Sequence, residues 1–189
     1  MRSFRSVFIT IVALAGIATA PRMSAAPEPV SCDTAAMPAQ VREMLRNKFA
    51  GWRPKQLSDM SVEDQKSWLA SPSGKFCPGI AIGHFENSKD LSYAVLLLHK
   101  SEPTHGYKII VFSKQADGDI YTSNLLELSD SEPDSALVIS KVAPGKFPDL
   151  ETEKSVRTTL DGVIVESLEK GAVLYYWSES HCRRIIISD

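Results

Sequence analysis

Gly79-Ile80-Ala81-Ile82-Gly83-His84-Phe85-Glu86-Asn87-Ser88-Lys89-Asp90-Leu91-Ser92-Tyr93-Ala94-Val95-Leu96-Leu97-Leu98 decides how this chain is read. It divides into a short apolar strand, a polar loop, and the most hydrophobic strand downstream of the N-terminal leader. Leu91, Tyr93, Val95 and Leu97 alternate with Ser92, Ala94, Leu96 and Leu98. The period of two marks a strand, and apolar residues on both faces toward its end mark a central one.

Upstream of this stretch the period is helical. Val41, Met44, Leu45, Lys48 and Phe49 follow i, i+3, i+4, i+7, i+8 spacing, and four of the five are apolar, which defines one buried helical face. Pro38 suits the first turn, where a missing N–H costs nothing; Gly51 and Pro54 end the helix. Ser61 with Asp64 caps a second, shorter helix running through Trp68 and Leu69, and Pro72-Ser73-Gly74 stops it.

Downstream only strand signals follow. Tyr107 to Phe112, Ile120 to Leu128, Ala136 to Val142, Val163 to Val165, Ala172 to Trp177 and Arg183 to Ser188 are apolar or alternating runs between turn-forming residues. Asp117-Gly118 is a strong tight-turn signal. The fold class expected is α+β: one or two N-terminal helices packed on an antiparallel sheet of about seven or eight strands.

The N-terminus has the composition of an export signal. Arg2 and Arg5 precede an apolar run over residues 7–18, and Ala18-Thr19-Ala20 offers a small-residue cleavage site. Pro21 disfavours cleavage there, which leaves Ala25 or Ala26 open, so the signal is assigned to residues 1–26 with cleavage between 20 and 26. Residues 27–189 then form a single domain. The apolar run is shorter than the roughly 20 residues a membrane span needs. No span is expected after cleavage, and Pro29-Val30-Ser31 before Cys32 lacks the Leu-rich pattern of a lipoprotein. The compartment expected is periplasmic or secreted.

Removing residues 1–26 takes away three arginines and no acids, leaving 18 basic against 23 acidic side chains, a net charge of −5. A nucleic-acid binder needs a basic face, so no nucleic-acid partner is expected. The acid-rich runs Ser129 to Asp134 and Asp149 to Glu153 read as solvated loops. Cys32, Cys77 and Cys182 allow three single pairings in an oxidising compartment. Cys32 precedes the helices and Cys77 follows them, so Cys32–Cys77 is the preferred bond, stapling the helices to the first strand.

Chemistry-bearing residues are sparse. His84, His99, His105 and His181 lie on different segments, without a paired metal-ligand spacing. His181 and Cys182 are adjacent on a strand and point to opposite faces, which does not make a catalytic pair. No nucleophile elbow and no phosphate-cradling glycine loop occurs. Neither a catalytic residue nor a cofactor is therefore expected. The candidates are His84 and Glu86 as metal ligands, and Asn87, Asp90 and Tyr176 as binding residues. Within Tyr175-Tyr176-Trp177, Tyr175 and Trp177 are expected in the core and Tyr176 on the opposite face, helix-covered or solvent-exposed.

Gly83-His84-Phe85-Glu86-Asn87-Ser88-Lys89-Asp90-Leu91-Ser92-Tyr93-Ala94-Val95 resembles one degenerate copy of the FG-GAP/VCBS calcium loop. Gly83, Phe85, Ala94 and Val95 match the framework, which implies a strand-loop-strand unit. The ligand positions hold His84, Glu86, Ser88 and Ser92, and Asp90 falls out of register. Calcium takes six to eight oxygens, several from carboxylates, so no ion is expected in this copy. The order of parts also resembles small exported bacterial proteins of unassigned function. The shared parts are Phe49-Ala50-Gly51-Trp52, Trp68, Cys77-Pro78-Gly79, Gly83 to Phe85, and Tyr175-Tyr176-Trp177 to Ser188-Asp189.

Two functions are weighed. The first is an exported, non-catalytic binding or accessory protein of the cell envelope, of inhibitor or immunity type, whose partner is another envelope or secreted protein. The alternative is an envelope hydrolase or metal-dependent enzyme using the His84/Glu86 loop.

Overall fold

The computed structural model describes residues 32–102, 106–115, 120–131, 133–168 and 170–189; the expected export segment lies outside them. Two α-helices, α1 (Ala39–Lys48) and α2 (Val62–Ala70), precede most of the strands. The strands are β1 (Trp52–Pro54), β2 (Ile80–Gly83), β3 (Ser92–His99), β4 (Tyr107–Lys114), β5 (Tyr121–Ser129) and β6 (Leu137–Val142). They continue as β7 (Lys146–Asp149), β8 (Lys154–Arg157), β9 (Gly162–Ser167), β10 (Gly171–Ser178) and β11 (His181–Ser188).

This arrangement corrects the expected fold class. The described residues form 11 strands in three antiparallel sheets, not seven or eight strands in one. One sheet has the order β1-β3-β4-β5, with β2 sharing the β1 edge of β3: β1 pairs with Leu97 to His99, β2 with Ser92 to Val95. The second has the order β11-β10-β9-β6, and β7–β8 is a separate hairpin. Most individual strands fall where alternation placed them. Their division into layers was hidden because several strands are apolar on both faces.

That double apolarity has a specific cause. Ala94 and Leu96 of β3 meet Ile109, Val111, Ile139, Val163, Val165, Tyr175 and Trp177 in the core between the two sheets. On the other face of the first sheet, Tyr93, Val95, Leu97, Ile110 and Phe112 are covered by Val41, Met44, Leu45 and Phe49 of α1 and the residue after it. The outer face of the second sheet is covered by the hairpin: Phe147 and Val156 pack on Leu174, Tyr176 and Ile185. Each layer buries apolar area worth roughly 25 cal/mol per Å².

The disulfide is Cys32–Cys77, spanning 45 residues and tying the segment before α1 to the loop before β2. α2 begins at Ser61, whose Oγ accepts from the Asp64 backbone N–H at 3.1 Å. Its buried Trp68 donates from Nε1 to the Phe76 carbonyl at 3.1 Å, so the loop after the helix folds back over it. Gly74 permits this, since a Cβ there would stand 2.2 Å from the Trp68 carbonyl oxygen. Among the described residues no helix is long and apolar enough to cross a membrane.

Candidate functional site

The two sheets meet along one side, where edge strands β2 and β6 run together. The chain is pinned there by Lys55, which follows β1. Its backbone N–H donates to the Leu96 carbonyl at 2.9 Å, while its buried ammonium donates to the carbonyls of Ser135 and Leu137 at 2.6 Å each. Burial pushes the Lys55 ammonium down to about 8, against the attraction of Asp59, Asp134 and Asp64. Gly79 passes so close that a Cβ would lie 2.4 Å from the Lys55 carbonyl oxygen. Ile139 N–H then donates to the Pro78 carbonyl at 2.8 Å, joining β6 to the residue pair before β2.

Farther along the seam, Asp161 holds the two sheets together. Its Oδ2 accepts from His84 N–H at 2.9 Å, its own N–H donates to the His84 carbonyl at 3.1 Å, and the Lys141 ammonium stands 3.9 Å away.

Between these ties lies a groove of about 360 Å³. Ile80, Ala81, Ile82 and Ile139 line its apolar part, with Trp68 among the wall residues. The Ser73 to Cys77 loop supplies Ser73, Lys75, Phe76 and the disulfide sulfur's residue Cys77, while Asp33 and Ala36 come from the turn before α1. Lys141 and Ser140 line the β6 side. Phe76 and Ile82 remain 58% and 39% exposed, leaving apolar surface open to a ligand. The Lys75 ammonium lies 5.2 Å from the Phe76 ring centroid. Two lysines and one aspartate thus line a groove in a chain that is acidic as a whole.

The loop from Gly83 to Leu91 closes one end of the sandwich. Phe85 is fully buried and stacks on Trp177, centroids 6.3 Å apart and planes at 22°. The loop's polar side chains turn to separate partners. His84 Nδ1 lies 3.2 Å from the Asp90 carbonyl, and Glu86 Oε1 accepts from Asn124 Nδ2 at 2.9 Å. Asn87 Oδ1 accepts from the N–H groups of Lys89 and Asp90 at 2.9 and 2.7 Å, an Asx turn that shapes the loop. The Asp90 carboxylate lies 3.7 Å from the Lys114 ammonium. Tyr176 is buried under the β7–β8 hairpin. Among the described residues, no three His, Cys, Asp or Glu side chains gather as a metal site would require. None of the five candidate residues lines the groove.

On the opposite, open side of the sandwich a carboxylate bridges the sheets. Glu127 of β5 accepts from the hydroxyl of Tyr107 on β4 and, at 2.8 Å, from the hydroxyl of Tyr175 on β10. Burial, reinforced by the Glu127 charge, raises both phenols above their ordinary range. All three groups satisfy one another, which makes this a clasp.

Sequence reasoning missed the groove and Lys55. The one local signal was Lys75-Phe76, a cation and a large apolar residue set in a Pro/Ser/Gly-rich loop. Lys55 carries no signal, since its carbonyl partners lie some 80 residues away. No family model matches the chain, and neither a curated protein nor a solved structure is significantly similar to it.

Proposed function

We propose that this chain is an exported, non-catalytic binding protein of the cell envelope, and that it takes a small amphipathic anion in the β2–β6 groove. The observation that carries this reading is the groove itself: an apolar floor beside exposed Phe76 and Ile82, with Lys75 and Lys141 among its lining residues. Its volume lies within the range of small-ligand sites. Among its described lining residues there is no histidine, the cysteine is held in the disulfide, and neither Ser73 nor Ser140 is hydrogen-bonded to Lys75 or Lys141, which favours contact and charge over a nucleophile–base pair. The N-terminal apolar run and the disulfide support an exported location.

Calorimetric titration with decanoate, decanol and decyltrimethylammonium tests this reading. Decanoate is expected to bind the wild type most tightly, and Ile82→Asp, placed on the exposed floor, to weaken it at least tenfold. Equal binding of all three probes would overturn the anion preference. Binding by none of them, or binding indifferent to Ile82→Asp, would overturn the groove as the site.

A further inference from the structure

A free strand edge displays unpaired N–H and C=O groups, and proteins protect such edges with charges, prolines, short strands or covering segments. Among the described strands, the edges differ sharply in this respect. β1 has three residues and ends in Pro54; β2 and β6 shield each other along the seam. β11 carries His181, Arg183 and Arg184, and its Ile186 carbonyl accepts from Leu150 N–H at 2.9 Å beside β7. The β7–β8 hairpin bears Lys146, Pro148, Lys154 and Arg157.

β5 lacks the shortness, the proline and the cations of the other edges, and its bulge lies only beyond Leu125. It is nine residues long, Tyr-Thr-Ser-Asn-Leu-Leu-Glu-Leu-Ser, with no proline and no cation. Its single acid, Glu127, is committed inward to Tyr107 and Tyr175. Leu125 and Leu128 are 55% and 52% exposed, and Ile120, immediately before the strand, is 61% exposed.

The hydrogen-bond pattern shows which groups are on offer. Gln115 N–H donates to the Ile120 carbonyl, so Ile120, Thr122 and Asn124 address β4, and Tyr121, Ser123 and Leu125 address the open edge. The Tyr121 N–H is taken by Gln40 Oε1 at 3.2 Å. Among the described residues, Ser123 and Leu125 are left.

We propose that β5 pairs antiparallel with β5 of a second copy, about a two-fold axis at Asn124. This register sets Ser123 opposite the partner subunit's Leu125, joining the two open residues of each chain, and sets Asn124 opposite the partner subunit's Asn124. It opposes no like charges along β5. A shift one pair toward the N-terminus meets the blocked Tyr121. A shift the other way runs into the bulge between Ile109 and Ile110, where the alternation of β5 breaks. The interface is isologous and closes, giving a dimer. β5 is the far edge of its sheet from β2, so both grooves stay open.

Sedimentation equilibrium and disulfide trapping test the proposal together. The wild-type mass is expected to rise with concentration from one chain toward two, and Leu125→Lys to remain at one chain while melting cooperatively. Asn124→Cys in a Cys182→Ser background faces itself in a non-hydrogen-bonded pair, close enough for a disulfide. It should give a cross-linked dimer on mild oxidation, whereas Leu150→Cys, on the opposite sheet's hairpin, should not. A wild type that stays at one chain, a dimer indifferent to Leu125→Lys, or equal trapping by the two cysteines would overturn it. The trapping result stands even where Leu125→Lys fails to fold.

Discussion

Lys55 is the residue on which the seam depends. Its ammonium fills two carbonyls from the segment leading into β6, so removing it orphans acceptors in a buried place. Lys55→Met is expected to cost about 2–4 kcal/mol, read from denaturant midpoints. Its pH signature has a definite sign. The folded value is depressed to about 8 by burial, so above that pH the unfolded chain holds the proton more strongly. Stability contributed by this group therefore rises from pH about 8 toward the unfolded value of about 10.4, and Lys55→Met should abolish that rise. Asp134 acts in the same sense at the acid end. The Lys170 ammonium, aided by Ala136 N–H and the Ser167 hydroxyl and opposed by burial, lowers its carboxyl to about 2. Its contribution is present above the unfolded value of about 3.9 and is lost as pH falls through about 2. Thermal melts of Asp134→Asn should show a flatter profile across that acid window.

At the scale of elements, Phe85 and the disulfide hold the parts together. Phe85→Ala empties a fully buried site against Trp177 and is expected to cost about 3–5 kcal/mol by chemical denaturation. Replacing Cys32 and Cys77 together should cost about 2–5 kcal/mol on the same assay. These elements also show what was legible in the sequence. The run from Leu91 to Leu98 announced a buried strand because α1 covers one face and the second sheet the other. The α1 and α2 signals sufficed because each helix carries its own periodicity or cap. β1, β7 and β8 were illegible: three or four residues long, carrying Pro54, Pro148 and several charges, they pair through backbone geometry that no alternation records. The hairpin covers its sheet with Phe147 and Val156 alone, so Tyr176 looked like a choice between helix and solvent. The groove was illegible for a related reason. It joins residues from Asp33 to Lys141, and its shape exists only after the sheets meet.

For the whole molecule, the two long sides of the sandwich are unlike. One is sealed by the β2–β6 seam with its groove; the other is bridged by Tyr107, Glu127 and Tyr175 and ends in the open edge of β5. The clasp predicts an alkaline limit. Both phenols are raised in the fold, so above the ordinary tyrosine value near 10 the unfolded chain sheds protons first and stability falls. Opposite signs for Lys55 and the tyrosines place a stability maximum near pH 10 within the alkaline range. The groove is read residue by residue in amide chemical-shift mapping during a decanoate titration. Saturable shifts confined to Phe76, Ile80 to Ile82 and Ile139 to Lys141, and lost in Ile82→Asp, are expected. Shifts centred instead on the Gly83 to Leu91 loop, or spread evenly over the surface, would rule out the groove as the anion site.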